Sequence, residues 1–574
     1  MKSLALFFTF IVGGLLSCEI LSCTAIFVGK EATTDGSVIV TNSDDAFEDN
    51  RFFYIKPQPF KLGEKKTIYY QKQANGFIPE LGGVPYRNYV INTPSSVYNT
   101  GENPSIPLGC IPQVEKTYGY FVNTYPIMNE HQVSIGESTC DAKVIPMPEK
   151  GKRIFYSSQL AAAALERCKT AKEAVLLMGK LIEEYGYYGT GEALIVADKS
   201  EGWLMEMCGY DKDGSGGLWV AQKIPDNSIC AVANQFRIQE VKENDPDFLY
   251  CKDLFKICQK KGWWNPEEGS FRWVKAVSNG EFHHPYYSQR RIWRIYSLLK
   301  PSANFSPWTD GPFTTQYPVS IIPDKKVSVQ DIIKIHRDYY QGTEFDLTKN
   351  KAAGPYRNPL LNECPAKNIT TANLADVKKD VNGCWERSIA INRCSYYHVN
   401  QMRNFLPDEV GGVIWWGFDR PAETCVMSIY AGVTAVPKSF TIGSYVTYNP
   451  KSAWWIFNIV ANYCQLRYSY MIKDINALQK KIEDNEFAMQ PAVENTAISL
   501  INSGNIDLAR QYLTQYCTSN ANSVLKQWKK LMQKLIVKYN YEYIVSEDGN
   551  TELIGYPESF LKDSGYYGNL QNYR

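Results

Sequence analysis

Short apolar runs broken by turn residues recur through the first three-quarters of this chain, and long helical stretches follow them. That alternation constrains the fold more than any other feature. Ala25–Lys30 and Ser37–Ser43 flank Thr34-Asp35-Gly36, which has the Asp-Gly chemistry of a tight hairpin. Tyr118–Thr124 and Gln132–Glu137 flank Asn129-Glu130-His131 and read as another strand pair. Glu192–Asp198 and Trp203–Met207 read as an apolar hairpin, and further strands are expected at Ile229–Asn234, Gly412–Phe418 and Cys425–Tyr430. Between them, Ser157–Tyr185 turns helical, with Thr170-Ala171-Lys172-Glu173 as a capping signature. Ser288–Leu299 and most of Trp454–Tyr539 are helical too. Strands with helices interspersed predict stacked sheets covered by helices, an α+β protein. At 574 residues the chain exceeds one ordinary core.

Composition narrows the function. Apolar residues make up 44% and charged residues 21%, the balance of a folded globular chain. Lys plus Arg (61) nearly cancels Asp plus Glu (60), so the basic field of a general nucleic-acid binder is missing. Only five His are present, which disfavours chemistry built on several His ligands. No Cys-x-x-Cys occurs, and His283-His284 near Cys258 lacks a ligand spacing. Asp211-Lys212-Asp213 resembles the start of a calcium loop, but Gln222 stands where that loop needs Glu, so a plain hairpin turn is expected. No metal and no cofactor are predicted.

The first segment speaks to compartment. Lys2 precedes an apolar run from Leu4 to Ser17, followed by small and polar positions, as in a secretory signal peptide. The run is shorter than the roughly 18 apolar residues of a membrane anchor. The expected product is secreted or lysosomal, with no membrane span in the mature form. Fifteen Cys and two sequons, at Asn304 and Asn368, suit an oxidising, glycosylating route. The expected divisions are a leader with a short propeptide (1–22), a main domain (23–453) and a packed helical region (454–574).

Cys23 begins a predicted strand directly after that leader. Processing at Ser22 would give one residue a thiol and a free α-amine, a nucleophile with its own base. The amine's ordinary pKa near ~8 leaves a neutral fraction at pH 7. Two other readings of Cys23 exist: a half-cystine, or the lipid-bearing Cys of a lipoprotein, since Leu15-Leu16-Ser17-Cys18 and Ile20-Leu21-Ser22-Cys23 both resemble lipobox strings.

Cys23-Thr24-Ala25-Ile26-Phe27-Val28-Gly29-Lys30, then Thr34-Asp35-Gly36-Ser37 and Thr41-Asn42-Ser43-Asp44-Asp45, resembles the start of the dipeptidase-A/secernin family of cysteine peptidases. These are N-terminal nucleophile hydrolases related to penicillin V acylase and bile salt hydrolase. The resemblance continues through Met128–Cys140, Glu192–Asp198, Val232–Ile238, Gly411–Gly417 and Ile429–Thr434. It implies a four-layer αββα sandwich with a helical C-terminal extension. It also implies Cys23 as nucleophile, Asp44 as holder of its α-amine and Asn234 as an oxyanion donor. Arg290 or Arg291 would be the cation beside the thiol. Asn129, Glu130 and Thr139 are substrate-binding candidates, and Arg290, Arg291 and Glu130 are alternative partners for a dipeptide's charged termini. The acylase relatives carry Arg where this chain has Thr41, so their substrates transfer poorly. The implied activity is dipeptide hydrolysis, with an N-acyl amide hydrolase or a non-enzymatic secretory protein as alternatives. A homo-oligomer remains open.

Overall fold

A computed structural model of the chain describes residues 23–45, 51–70, 107–211, 214–282, 285–349, 351–363, 386–443 and 447–565. The expected leader, the Asn368 sequon and His283-His284 lie outside them.

The first hairpin joins β1 (Cys23–Val28) to β2 (Val38–Asp44), antiparallel, with Phe27 opposite Val40 and Cys23 opposite Asp44. Its connection turns at Gly36 (φ +79°), where the Asp35 carboxylate accepts from the backbone N–H and the hydroxyl of Ser37. After β3 (Phe53–Ile55), a separate ribbon pairs β4 (Lys65–Tyr69) with β5 (Pro107–Pro112). Then come β6 (Tyr120–Val122), β7 (Pro126–Asn129) and β8 (Ser134–Cys140). The sequence predicts one strand pair here, but β7 intervenes and pairs with both neighbours.

Helices Ser157–Leu165 and Ala171–Tyr185 follow. Thr170 caps the second by accepting from the Glu173 N–H, while Glu173 reaches back to the Lys169 N–H. A meander of β9 (Gly191–Ala197), β10 (Gly202–Cys208) and β11 (Leu218–Ile224) places Asp211 between β10 and β11, and Lys212 and Asp213 lie outside the described residues. Apart from a small ribbon near the C-terminal end, β18 (Tyr543–Val545) paired with β19 (Thr551–Leu553), the further strands are β12 (Ile229–Val232), β13 (Phe248–Tyr250), β14 (Ser320–Ile321), β15 (Tyr396–Met402), β16 (Val413–Phe418) and β17 (Met427–Tyr430).

They form two large sheets, ordered β14-β12-β1-β2-β15-β16-β17 and β13-β11-β10-β9-β8-β7-β6-β3. β1 and β2 lie face to face with β8 and β9, so the sheets stack on each other. Ser157–Leu165 and Ala171–Tyr185 cover the outside of the second sheet. Gln289–Leu299, Val329–His336, Ala453–Cys464 and the long pair Tyr468–Asn502 and Ile506–Lys538 cover the first. The architecture is therefore the expected αββα sandwich with helices added at the C-terminal end. These helices share the sheet's core: the Phe457 ring lies 4.9 Å from Trp528, and Trp415 lies 4.3 Å from Phe487.

Among the described residues the disulfides expected from the cysteine content do not appear. All twelve described cysteines are free thiols, and all but Cys110 are buried. They act as small apolar side chains in the core. Among the described residues no helix is long and apolar enough to cross a membrane.

Candidate active site

Cys23 opens β1 near the middle of the first sheet, between β12 and β2, and is fully buried. Both neighbours deliver polar groups to it. β2 ends on Asp44, directly opposite Cys23 in register. β12 ends just before Asn234, whose left-handed backbone (φ +57°) turns the chain off the sheet. The Asn234 N–H donates to Ser138 Oγ (2.7 Å), and its Nδ2 donates to the Thr139 carbonyl (2.9 Å), so the amide is held against β8. Ser138 Oγ in turn reaches the Cys23 carbonyl at 3.4 Å.

Helix Gln289–Leu299 supplies the cation. Arg291 Nη1 donates to the Cys23 carbonyl (2.9 Å) and to Thr24 Oγ1 (3.0 Å). Its Nη2 donates to Asn234 Oδ1 (2.7 Å) and the Ala233 carbonyl (3.3 Å), and Nε donates to the Tyr287 carbonyl (3.1 Å). One buried guanidinium thus ties the Cys23 backbone to the Asn234 amide. Burial, with the nearby charge of Arg387, pulls its pKa down to about 10, so it stays charged at neutral pH.

The neighbouring Arg290 points elsewhere. It pairs with Glu386 (3.1 Å), donates to the Pro307 carbonyl and stacks among Tyr286, Trp308 and Phe345, with ring distances of 4.5, 4.6 and 3.8 Å. It clamps the 301–345 excursion to the helix rather than facing Cys23. Asn129 also makes contacts away from the thiol. Its Nδ2 donates to the Leu165 and Cys168 carbonyls (2.8 Å each), and its Oδ1 accepts from the His131 and Val133 N–H groups (3.0 Å each). It therefore closes the β7–β8 turn against the outer helix. Glu130 accepts from the Gly119 N–H and faces Arg510 at 3.6 Å. Thr139 does join the site: Oγ1 donates to Glu137 Oε1 (2.8 Å) and lies 3.4 Å from Glu192 Oε1.

The electrostatics are dominated by acids. Burial first, then the charges of Glu137, Asp44 and Asp45, raise the Cys23 thiol well above its ordinary value, so the resting group is a neutral thiol. Burial, together with Glu137 and Asp45, raises Asp44 well above the carboxylate range. Neither of its oxygens makes a close hydrogen bond, and the nearby Thr124 and Tyr396 side chains lower it less than burial raises it.

Residues 22–481 match peptidase family C69. The chain belongs to this family. It is a cysteine-type peptidase. Among its relatives, the probable dipeptidase of Latilactobacillus sakei is 24% identical over 505 residues, covering 86% of this chain and 93% of that protein. The probable dipeptidase B of Lactococcus lactis subsp. lactis is 23% identical, covering 90% and 95% respectively. Dipeptidase A of Lactobacillus helveticus is 22% identical, covering 76% and 81%. Among solved structures, penicillin V acylase from Agrobacterium tumefaciens aligns over 71% of this chain and 86% of its own, at 10% identity and a TM-score of 0.26.

In this C69 peptidase the site also holds residues that no local motif marks. Glu137 lies within the resembling Gly136-Glu137-Ser138-Thr139 string, and its carboxyl reaches the Cys23 side chain. Glu192 stands opposite Thr139 across β8 and β9 and accepts from the Tyr156 hydroxyl. A charged residue leading the apolar run Glu192–Asp198 was the available signal. Thr41, where the acylases carry Arg, accepts from the Ile26 N–H (3.0 Å) and hydrogen-bonds His336 Nε2 (2.8 Å). The second guanidinium of this region comes instead from Arg387, which pairs with Asp45 and lies over the Tyr287 ring at 5.8 Å. Among the described residues no group of three or more His, Cys, Asp or Glu side chains could hold a metal ion.

Proposed function

We propose that this C69 peptidase hydrolyses dipeptides through an acyl-enzyme on Cys23, after export and removal of residues 1–22. Asp44 carries the reading. A buried acid without a close hydrogen bond or a paired cation, opposite the first residue of the strand, is stabilised by a cation placed between the strands. The α-ammonium of a processed Cys23 is such a cation. The dipeptidase names of the relatives support the substrate class, and Lys2 with the Leu4–Ser17 run supports export.

In this scheme the neutral α-amine takes the thiol proton as sulphur attacks the substrate carbonyl. The tetrahedral oxyanion accepts from the second N–H of Asn234 Nδ2, the first being engaged by Thr139. The C–N bond breaks as the ammonium protonates the leaving amine. Water, losing a proton to the α-amine, then attacks the thioester and releases the first amino acid.

Cys23→Ala tests this. It should abolish dipeptide hydrolysis with unchanged circular dichroism. Its intact mass should show a chain starting near Glu19, whereas wild type starts at Cys23, because the thiol attacks the Ser22 carbonyl to finish its own maturation. Substantial turnover by Cys23→Ala would remove the residue from the mechanism.

A further inference from the structure

Asp44, Asp45 and Glu137 crowd around Cys23 and Glu192 lies behind Glu137, each 1% exposed or less. Two guanidiniums share the region. Arg387 pairs with Asp45. The contacts of Arg291 go to three carbonyls, a hydroxyl and an amide oxygen, none of them a carboxylate. Among the described residues, no cation bridges Asp44, Glu137 or Glu192. The Cys23 α-amine answers Asp44, which leaves the other two.

Those two acids form a built pair. Glu137 Oε1 is held by Thr139, and its backbone N–H donates to Asn42 Oδ1 (2.5 Å). Glu192 Oε1 is held by Tyr156. The remaining oxygen of each, Oε2, is buried with no hydrogen-bond donor. Thr139 Oγ1 bridges the pair, 2.8 Å from Glu137 Oε1 and 3.4 Å from Glu192 Oε1; burial and the charge of Glu137 raise Glu192 further than Glu137 is raised, so Glu137 is the member that ionises first. That charge sits where Glu137 meets the Cys23 side chain.

We infer that Glu137, backed by Glu192, binds the free α-ammonium of the substrate, so that the enzyme requires an unblocked amino terminus. The inference rests on the dipeptidase reading. Its geometry follows from the substrate. The attacked carbon lies about 3–3.5 Å from the sulphur in a reactive complex. The α-nitrogen of the same residue is roughly 2.5 Å from that carbon, as backbone bond lengths require. An ammonium so close to the thiol falls to a carboxylate that itself touches the thiol. Glu137 does so and has an oxygen to spare.

The test compares Ala-Ala-type dipeptides with analogues in which hydrogen replaces the α-amino group. Wild type should prefer the amine-bearing substrate by about 100-fold or more in kcat/KM, the usual consequence of leaving a buried charge unpaired. Glu137→Gln should reduce that preference to within about 10-fold, whatever change in turnover the two substrates share. A preference unchanged in Glu137→Gln overturns the inference and leaves the dipeptidase reading standing. Equal loss of kcat/KM on both substrates also overturns it, because Glu137 would then be serving the thiol. Should Glu137→Gln not fold, inhibition of wild type by the product amino acid and by its des-amino counterpart decides, and equal inhibition constants refute the inference. No turnover of any dipeptide by mature wild type refutes the dipeptidase reading and the inference with it.

Discussion

Replacing Asn234 by glycine and by alanine separates its amide from the backbone conformation beneath it. Both substitutions delete the buried bonds to Arg291 and to the Thr139 carbonyl. At about 1 kcal/mol net per bond, each variant should lose about 2 kcal/mol of stability. Alanine should lose about 1–2 kcal/mol more, because residue 234 sits at φ +57°, which glycine adopts freely and alanine does not. Catalysis should not follow that difference. If the amide donates to the oxyanion, both variants lose the same donor and kcat should fall by about 100- to 1000-fold in each. Asn234→Asp completes the set, keeping an oxygen for Arg291 but no N–H. It should be nearly as inactive as the glycine variant. Steady-state dipeptide hydrolysis at saturating substrate, read beside urea unfolding, measures both quantities. A glycine variant with near wild-type kcat would refute the oxyanion assignment. A gap in kcat between glycine and alanine above about 10-fold would show that backbone geometry, not the amide, is what the site needs.

Asp44→Asn should lower kcat by about 100-fold in the processed enzyme, because it removes the carboxylate that faces the Cys23 α-ammonium. In the precursor, where residue 23 has no free α-amine, the folded-state pKa of Asp44 is raised, so its contribution to stability is fully present below its ordinary value and is lost as pH rises through the folded value. In a Cys23→Ala background, which keeps the precursor, the asparagine variant escapes that loss, and its advantage in urea midpoint should shrink towards pH 4. Arg291→Lys should cost about 100-fold in kcat, since an ammonium cannot span the Cys23 and Asn234 acceptors together. Arg290→Lys should leave kcat within about 3-fold and lower stability by loosening its aromatic surroundings. Burial holds His336 down to about 4 and His398 to about 3, so both contribute stability above pH 6.5 that is lost as pH falls through those values. His398→Gln should flatten the dependence of unfolding free energy on pH between 6.5 and 4 by about one proton.

What could be read without coordinates follows from how local each signal is. The β1–β2 hairpin and the Thr170 cap were legible because their chemistry lies within a few residues: an Asp35 carboxylate on Ser37, a Thr170 hydroxyl on Glu173. β15 was not legible. Tyr396-Tyr397-His398-Val399-Asn400-Gln401-Met402 looks half polar, and it becomes a central strand because distant partners satisfy it. Asn400 donates to Ser134 and Gln401 donates to Asp35. Arg290 and Arg291 could not be separated for a related reason. Adjacent residues on a helix point roughly 100° apart, and which one meets the sheet depends on what the helix packs against. Asn129 sits in a resembling motif yet closes a turn, a use of Asn that its residue type cannot distinguish from ligand binding. The acid pair was hidden most deeply of all. Glu137 and Glu192 lie 55 positions apart and have no meaning separately. Strand register sets Thr139 opposite Glu192 and bonds Thr139 to Glu137, and only then does an uncompensated charge appear beside Cys23. A chain with a net charge of +1 gives no hint of it, because what matters at the site is which charges remain after every buried pair has been matched.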